Sequence, residues 1–288
     1  MKKIDRLGWA DGISFTAYGV RVGIRVSNPT IMHRIPDLLP PSWKPARSGN
    51  VERLYSLVVG GAGSRPSVRR FNVLYADADR MSRSMDLEPA LKLLETDLQL
   101  YVAEAAPRRI FVHAGVVRWR GRAILIPGRS LSGKSTLVNE LIKAGATYYS
   151  DEYAVCDARG RVHPYPKPLA LRKEGDVLPK PVRAGTMPGR PVVKPLPVGL
   201  VVLTSYRSGA RWRPRRLSHG RAVIELLNHT IPARMEPGRA LATLKQVAAG
   251  ALVLKGVRGE AGQMIDTLLA RADEHASGVA NGPTRRSA

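Results

Sequence analysis

A chain of 288 residues, 44% hydrophobic and with a formal net charge of +23, is long enough for one large domain or two modest ones with their own cores. Its longest apolar runs are about five residues, too short for a membrane-spanning helix; no secretory core follows Met1-Lys2-Lys3; and the lone Cys156 excludes an internal disulfide and points to a reducing, cytoplasmic setting. The positive charge is spread from Arg6 to Arg286 without a dominant block and aromatics make up 6% of the chain, so nucleic acid is not the expected partner.

In chain order, Phe15 to Val26 alternates loosely and reads as one strand or two. Residues 35 to 50 hold four prolines and read as loop. Val51–Gly60 and Arg70–Tyr75 are further strand candidates. A helix is expected from Leu87 to Glu104, with Asp86 as N-cap, Pro89 in the first turn and a stripe of Leu87, Ala90, Leu91, Leu94, Leu98 and Val102. Residues 1–105 thus form an α+β region to which no chemistry is assigned.

Next come I-F-V-H-A-G-V-V and R-A-I-L-I-P, a hairpin-like pair joined by R-W-R-G. The second strand runs into G-R-S-L-S-G-K-S, residues 128 to 135. A helix follows, with Leu137, Val138, Leu141 and Ile142 on one face and Gly145 as its C-terminal stop. A-T-Y-Y-S-D-E is a strand ending on two acids, expected beside the strand that enters the loop, and Y-A-V-C-D is a buried strand carrying Cys156. Lys173 to Pro197, with six prolines, reads as an irregular loop. V-G-L-V-V-L-T-S-Y is a buried strand. Ser218 caps a helix bearing Val223, Leu226 and Leu227; Pro237 opens another with Leu241, Leu244 and Val247 inward. Ala251–Val257 reads as strand and Gly262–Ala272 as helix, and residues 275–288 as a disordered tail. Residues 106–274 form the second expected domain.

Residues 128 to 135 match G-x-x-x-x-G-K-[ST], with a strand before and a helix after. In that setting backbone N–H groups converge on phosphate oxygens and the first helical turn adds partial positive charge. Gly128, Arg129, Ser130, Leu131, Ser132, Gly133, Lys134, Ser135 and Thr136 are the expected nucleotide-binding residues. Lys134 would reach the β- and γ-phosphates of a nucleoside triphosphate, and the Ser135 hydroxyl would hold Mg²⁺. Phosphoryl transfer also needs a carboxylate for the metal or the acceptor, and Asp151 and Glu152 are the candidates, because ligands gather at strand ends in open α/β sheets. The guanine-reading N-K-x-D pattern is absent, which argues against a regulatory GTPase.

Taken together, these strings resemble the HPr kinase/phosphorylases and the related serine kinases of peptide-modifying gene clusters. The likeness rests on His113-Ala114-Gly115, the loop from Gly128 to Ser135, Leu141-Ile142-Lys143-Ala144-Gly145, and Ser150-Asp151-Glu152, with sixteen residues from Ser135 to Asp151. It extends to Arg216-Leu217 and to Pro237-Gly238-Arg239 with the helix that follows, about residues 108 to 262 in all. The resemblance implies an α/β fold: a P-loop domain of the HPr kinase/carboxykinase-like type with a mixed sheet, behind a small α+β N-terminal region. It implies ATP and Mg²⁺ as cofactors and an acceptor serine in a peptide or small protein, and it is compatible with a homo-oligomer. By the same resemblance Asp151 would be the general base and Glu152 would lie near the metal with Ser135. His113 would face the acceptor, and Arg216 would stabilise the transferred phosphate alongside Lys134. The family's E-[IV]-R-G-x-G-[IV] signature after the two acids is missing, so phosphorolysis is not expected. A small-molecule or carboxykinase-like phosphotransferase, and a nucleotide-binding module without transfer, are the alternative readings.

Overall fold

The alternation from Phe15 to Val26 becomes a hairpin. β1 (Asp11–Ala17) and β2 (Val20–Val26) pair antiparallel, turning through Tyr18 and Gly19 at φ 52° and 91°, a two-residue turn whose twist suits the strands. The computed structural model describes residues 3–60, 70–129, 132–171, 180–181 and 194–280, which divide into two units, Met1–Arg108 and Arg109–Ala288.

In the first unit the proline-bearing stretch is not all loop: it contains α1 (Ile35–Leu38), with Pro36 in its first turn, and the two-residue β3 (Lys44–Pro45). β4 (Arg53–Val58), β5 (Asn72–Ala76) and β6 (Asp79–Ser84) follow, then α2 (Leu87–Ala105). The six strands form a mixed sheet in the order β3-β1-β2-β4-β5-β6, with β2 and β4 parallel. Phe15, Val22, Ile24, Tyr55, Leu57 and Leu74 are buried, as are Ala90, Leu91, Leu94, Leu98 and Val102 of α2. The Tyr55 hydroxyl donates to Asp97 at 2.6 Å, tying β4 to that helix. Asp86 is the N-cap residue, but its side chain makes no capping hydrogen bond.

The second unit contains β7 (Ile110–Trp119), β8 (Arg122–Pro127), α3 (Lys134–Lys143), β9 (Thr147–Ser150), β10 (Tyr153–Cys156), β11 (Arg161–His163), β12 (Ala170–Leu171), β13 (Lys180–Pro181), β14 (Leu196–Tyr206), β15 (Arg215–Arg216), α4 (His219–Leu227), α5 (Pro237–Gly250), β16 (Leu252–Arg258) and α6 (Ile265–Ala280). Its large sheet is also mixed, ordered β11-β10-β7-β8-β14-β16-β15, with β9 paired to β7. β8, β14 and β16 run parallel, so Pro127, Tyr206 and Arg258 end on one edge. Alternation sorts the side chains to two faces. Ala123 and Leu125 join Val112, Val201 and Val253 in a core with Ala222 and Leu226 of α4 and Leu244 and Val247 of α5. Ile124 and Ile126 join Leu200 and Val202 in a second core with Leu137, Val138 and Leu141 of α3 and Leu268 of α6. No helix among the described residues is long and apolar enough to cross a membrane.

Several readings change. The strand ending on the two acids, β9, does not lie beside the loop's strand: it pairs antiparallel with β7. β7 is ten residues long, enough to pair with β8 along one side and with both β9 and β10 along the other. Leu241 points outward at 44% exposed, since Ala240 and Leu244 take the inner face of α5. α6 continues to Ala280, so residues 275–280 of the expected tail are helical; the Trp119 indole donates to Asp273 at 2.8 Å within that helix. Most of the loop expected from Lys173 to Pro197, and residues 281–288, lie outside the described residues; Lys180–Pro181 pairs with Ala170–Leu171, and Leu196–Pro197 begin β14.

Candidate functional site

β8 delivers the chain into the glycine loop at Gly128, whose N–H donates to the His113 carbonyl at 3.2 Å. Gly128 is closely covered by the loop: a Cβ there would stand 2.6 Å from Ser132 Oγ, so that hydroxyl would have to turn aside. Ser130 and Leu131 lie outside the described residues. Gly133 is the N-cap of α3 with φ 82°, a left-handed backbone that glycine adopts without strain. Arg129 and Thr136 are exposed, and Ser132 and Ser135 half-buried. Lys134, the first residue of α3, is buried, and its ammonium donates to the Arg129 carbonyl at 2.8 Å. Burial lowers its pKa, opposed by the charges of Asp151 and Glu152. α3 closes at its other end as expected, with Gly145 at φ 97° and its N–H on the Ile142 carbonyl.

The two acids occupy the bend between β9 and β10, and β7 holds that bend in place. The Ala114 N–H donates to the Glu152 carbonyl at 3.2 Å, and the buried Ser150 hydroxyl accepts the Tyr153 N–H at 3.2 Å. From there the Asp151 carboxylate meets the glycine loop: the Ser135 hydroxyl donates to Asp151 Oδ2 at 2.6 Å. Asp151 Oδ1 is buried without a hydrogen-bond partner. Gly115 makes this approach possible. A Cβ at that position would stand 2.6 Å from Val138 Cγ2 and 3.5 Å from Asp151 Oδ1, so a bare backbone lets α3 and the carboxylate lie close over β7. Burial raises the Asp151 pKa to about 6 against the lowering effects of the Ser135 bond and Lys134. An unpaired, desolvated carboxylate oxygen is a basic one.

His113 stands on β7 opposite Tyr153, with Nε2 at 3.8 Å from Glu152 Oε1. Burial first, then Lys134 and His229, lower its pKa to about 4, so at neutral pH the imidazole is uncharged and this approach is not an ion pair. Glu152 itself is 41% exposed. Sequence reasoning passed over two residues here. His229, in the turn after α4, accepts the His113 N–H through its carbonyl at 2.7 Å; it arrives through an isolated bridge between Val112 and Thr230 that no local pattern announces. Arg258 ends β16 and reaches back to the loop, its Nη2 donating to the Gly133 carbonyl at 3.0 Å. A charged residue next to a glycine at the end of an apolar strand was the available signal.

Arg216 is not brought to this cluster. It lies exposed on β15 opposite Leu254, about 13 Å along β16 from Arg258 at strand spacing, and lines a separate cavity of 690 Å³ with Trp212 and Arg271. β15 runs antiparallel to β16, which carries Arg216 away from the edge where the parallel strands end. Among the described residues no group of three or more His, Cys, Asp or Glu side chains is arranged to hold a metal unaided. Ser135, Asp151 and Glu152 offer oxygen donors only, the kind Mg²⁺ takes in small number when phosphate and water complete its shell. No family model matches the sequence, and no curated protein matches it.

Proposed function

We propose that this protein is an ATP- and Mg²⁺-dependent kinase that transfers the γ-phosphate to a serine hydroxyl of a peptide or small protein, with a P-loop domain of the HPr kinase/carboxykinase-like type. The observation that carries the reading is the 2.6 Å hydrogen bond from the Ser135 hydroxyl, at the start of α3, to a buried Asp151 carboxylate sixteen residues away. A lysine-bearing glycine loop and a basic carboxylate meet there in one site.

The roles follow from the chemistry of each group. The loop amides and the first turn of α3 cradle phosphate oxygens. Lys134 exchanges the Arg129 carbonyl for β- and γ-phosphate oxygens. Ser135 and Glu152 would hold Mg²⁺, and the all-oxygen donor set of Ser135, Asp151 and Glu152 fits that ion. When bound, the metal neutralises charge on the transferring phosphoryl group. Asp151 Oδ1 takes the proton of the acceptor hydroxyl, a task suited to a carboxylate with a pKa of about 6. His113, neutral, lines the acceptor side beside Glu152. The strongly basic chain suits an acidic acceptor peptide.

The position of Arg216 favours a second reading, a nucleotide-binding module that performs no transfer, since the cluster lacks that arginine. Calorimetry with MgATP and a γ-phosphate transfer assay on serine peptides separate the two. Lys134→Ala is expected to abolish nucleotide binding. Asp151→Asn is expected to bind MgATP yet lose transfer by roughly 10²–10⁴-fold, the usual worth of a general base. Binding without transfer to any hydroxyl acceptor in the wild type selects the module.

A further inference from the structure

Two cations are tethered to the glycine loop, one at each end, and both are bound to carbonyls instead of carboxylates. Lys134 holds the Arg129 carbonyl at 2.8 Å. Arg258, 2% exposed, donates from Nη2 to the Gly133 carbonyl at 3.0 Å and from Nη1 to the Gly259 carbonyl at 2.9 Å, and its Nε is buried with no partner. Arg258 stands where β16 ends, directly across from Tyr206 at the end of β14. The Tyr206 ring lies 5.4 Å from the guanidinium, and its hydroxyl is held by Glu260 at 2.7 Å. The fit at Gly133 is close enough that a Cβ there would stand 2.3 Å from Nη2.

The C=O and N–H of one trans peptide unit point in opposite directions, so a carbonyl fixed on one side turns the N–H of that same unit, here that of Lys134, to the other. A cradle for anions needs its carbonyls directed away from the ligand, because a carbonyl oxygen facing phosphate repels it. A buried guanidinium bonded only to carbonyls also leaves positive charge behind the loop that is not cancelled by a carboxylate hydrogen bond.

We propose that Arg258 is a positioning residue for the anion cradle: by holding the Gly133 carbonyl, jointly with the Leu137 N–H, it keeps the Lys134 N–H of the same peptide turned toward bound polyphosphate, and it adds a fixed positive charge behind it. The inference rests on the phosphate-binding reading of the loop. It assigns Arg258 to the phosphate side of the ligand, so a ligand without a nucleoside should feel its loss as much as ATP does.

Calorimetric titration of the full-length protein with magnesium pyrophosphate and with MgATP tests this, on wild type, Arg258→Met and Arg258→Lys, with thermal midpoints recorded for each. The expected result is a loss of roughly 10- to 100-fold in affinity for both ligands in Arg258→Met, the worth of one charged hydrogen bond. Arg258→Lys, which keeps the charge and can reach one carbonyl, should recover part of it. Unchanged affinity in a folded Arg258→Met overturns the proposal, as does a loss confined to MgATP. A loss that Arg258→Lys repeats in full, with equal falls in thermal midpoint, marks a purely structural arginine and overturns it too. Should wild type bind neither ligand, the phosphate reading of the loop falls first and this inference with it; wild-type binding that is indifferent to Arg258 removes this inference alone.

Discussion

Asp151 carries a cost in the folded chain that pH can expose. Its pKa rises from an ordinary 3.8 to about 6 because burial disfavours the charged form. The folded state therefore binds this proton more tightly than the unfolded state. The sign follows: the side chain's contribution is most favourable below about 3.8 and is lost as pH rises through about 6. At pH 8 the native protein holds a desolvated charge at a cost on the order of 3 kcal/mol. Asp151→Asn removes that charge while an amide oxygen still accepts the Ser135 hydroxyl. We expect the variant to raise the thermal midpoint by about 2–6 °C at pH 8 and to give no gain at pH 3.5. A gain equal at both pH values would show that the carboxylate is not strained by burial. The setting of the loop was legible, because an apolar strand before it and a helical stripe after it are strong local patterns, and β8 and α3 stand where those patterns placed them. The 2.6 Å meeting of Ser135 with Asp151 was legible only as sixteen residues of separation. His229 was not read, because it acts through its backbone carbonyl, which leaves no mark on residue type; Arg258, which acts on such a carbonyl, left only the sign of a charged residue beside a glycine at a strand end.

At the level of elements, the critical contact is α3 against β7, and it turns on a missing side chain. A Cβ on Gly115 would press to 2.6 Å on Val138 Cγ2, and Asp151 Oδ1 stands 3.5 Å from the same point. Gly115→Ala should cost about 1–3 kcal/mol as an overpacking change and should push α3 and the carboxylate apart. Shortening the partner tests the cause. In a double-mutant cycle of denaturant unfolding, Gly115→Ala combined with Val138→Ala should be less destabilising than the sum of the two singles. Simple additivity would mean that the strain lies elsewhere. Helices and buried strands were legible where periodicity was strong, as in the stripe of α2 and the apolar run of β14. β6 was missed because Asp79–Ser84 is a polar edge strand with no buried face. The pairing of β9 was misread because sequence order suggests that the strand after α3 returns beside β8. Hydrogen bonding instead follows the spare length of β7, a quantity no local pattern contains.

The charge of the whole molecule is unevenly divided. Residues 109–288 carry 30 lysines and arginines against 12 aspartates and glutamates, whereas residues 1–108 carry 16 against 11. The glycine loop, both acids, His113, His229 and Arg258 all belong to the unit that runs from Arg109. That unit also has its own cores on both faces of its sheet, so it is expected to fold when produced alone. Its excess positive charge attracts polyanions over several ångströms in a manner that salt weakens. Two consequences can be measured on a 109–288 fragment. Its affinity for magnesium pyrophosphate should stay within about 3-fold of the full chain, because the cradle and its neighbours are intact. Its affinity should also fall with added salt as steeply as that of the full chain, because the charges nearest the ligand are retained. A fragment that is folded by circular dichroism yet has lost most of its pyrophosphate affinity would mean that residues 1–108 take part in the anion site. A fragment with full affinity but a much shallower salt dependence would mean that the long-range attraction originates in residues 1–108, against the distribution of charge along the sequence.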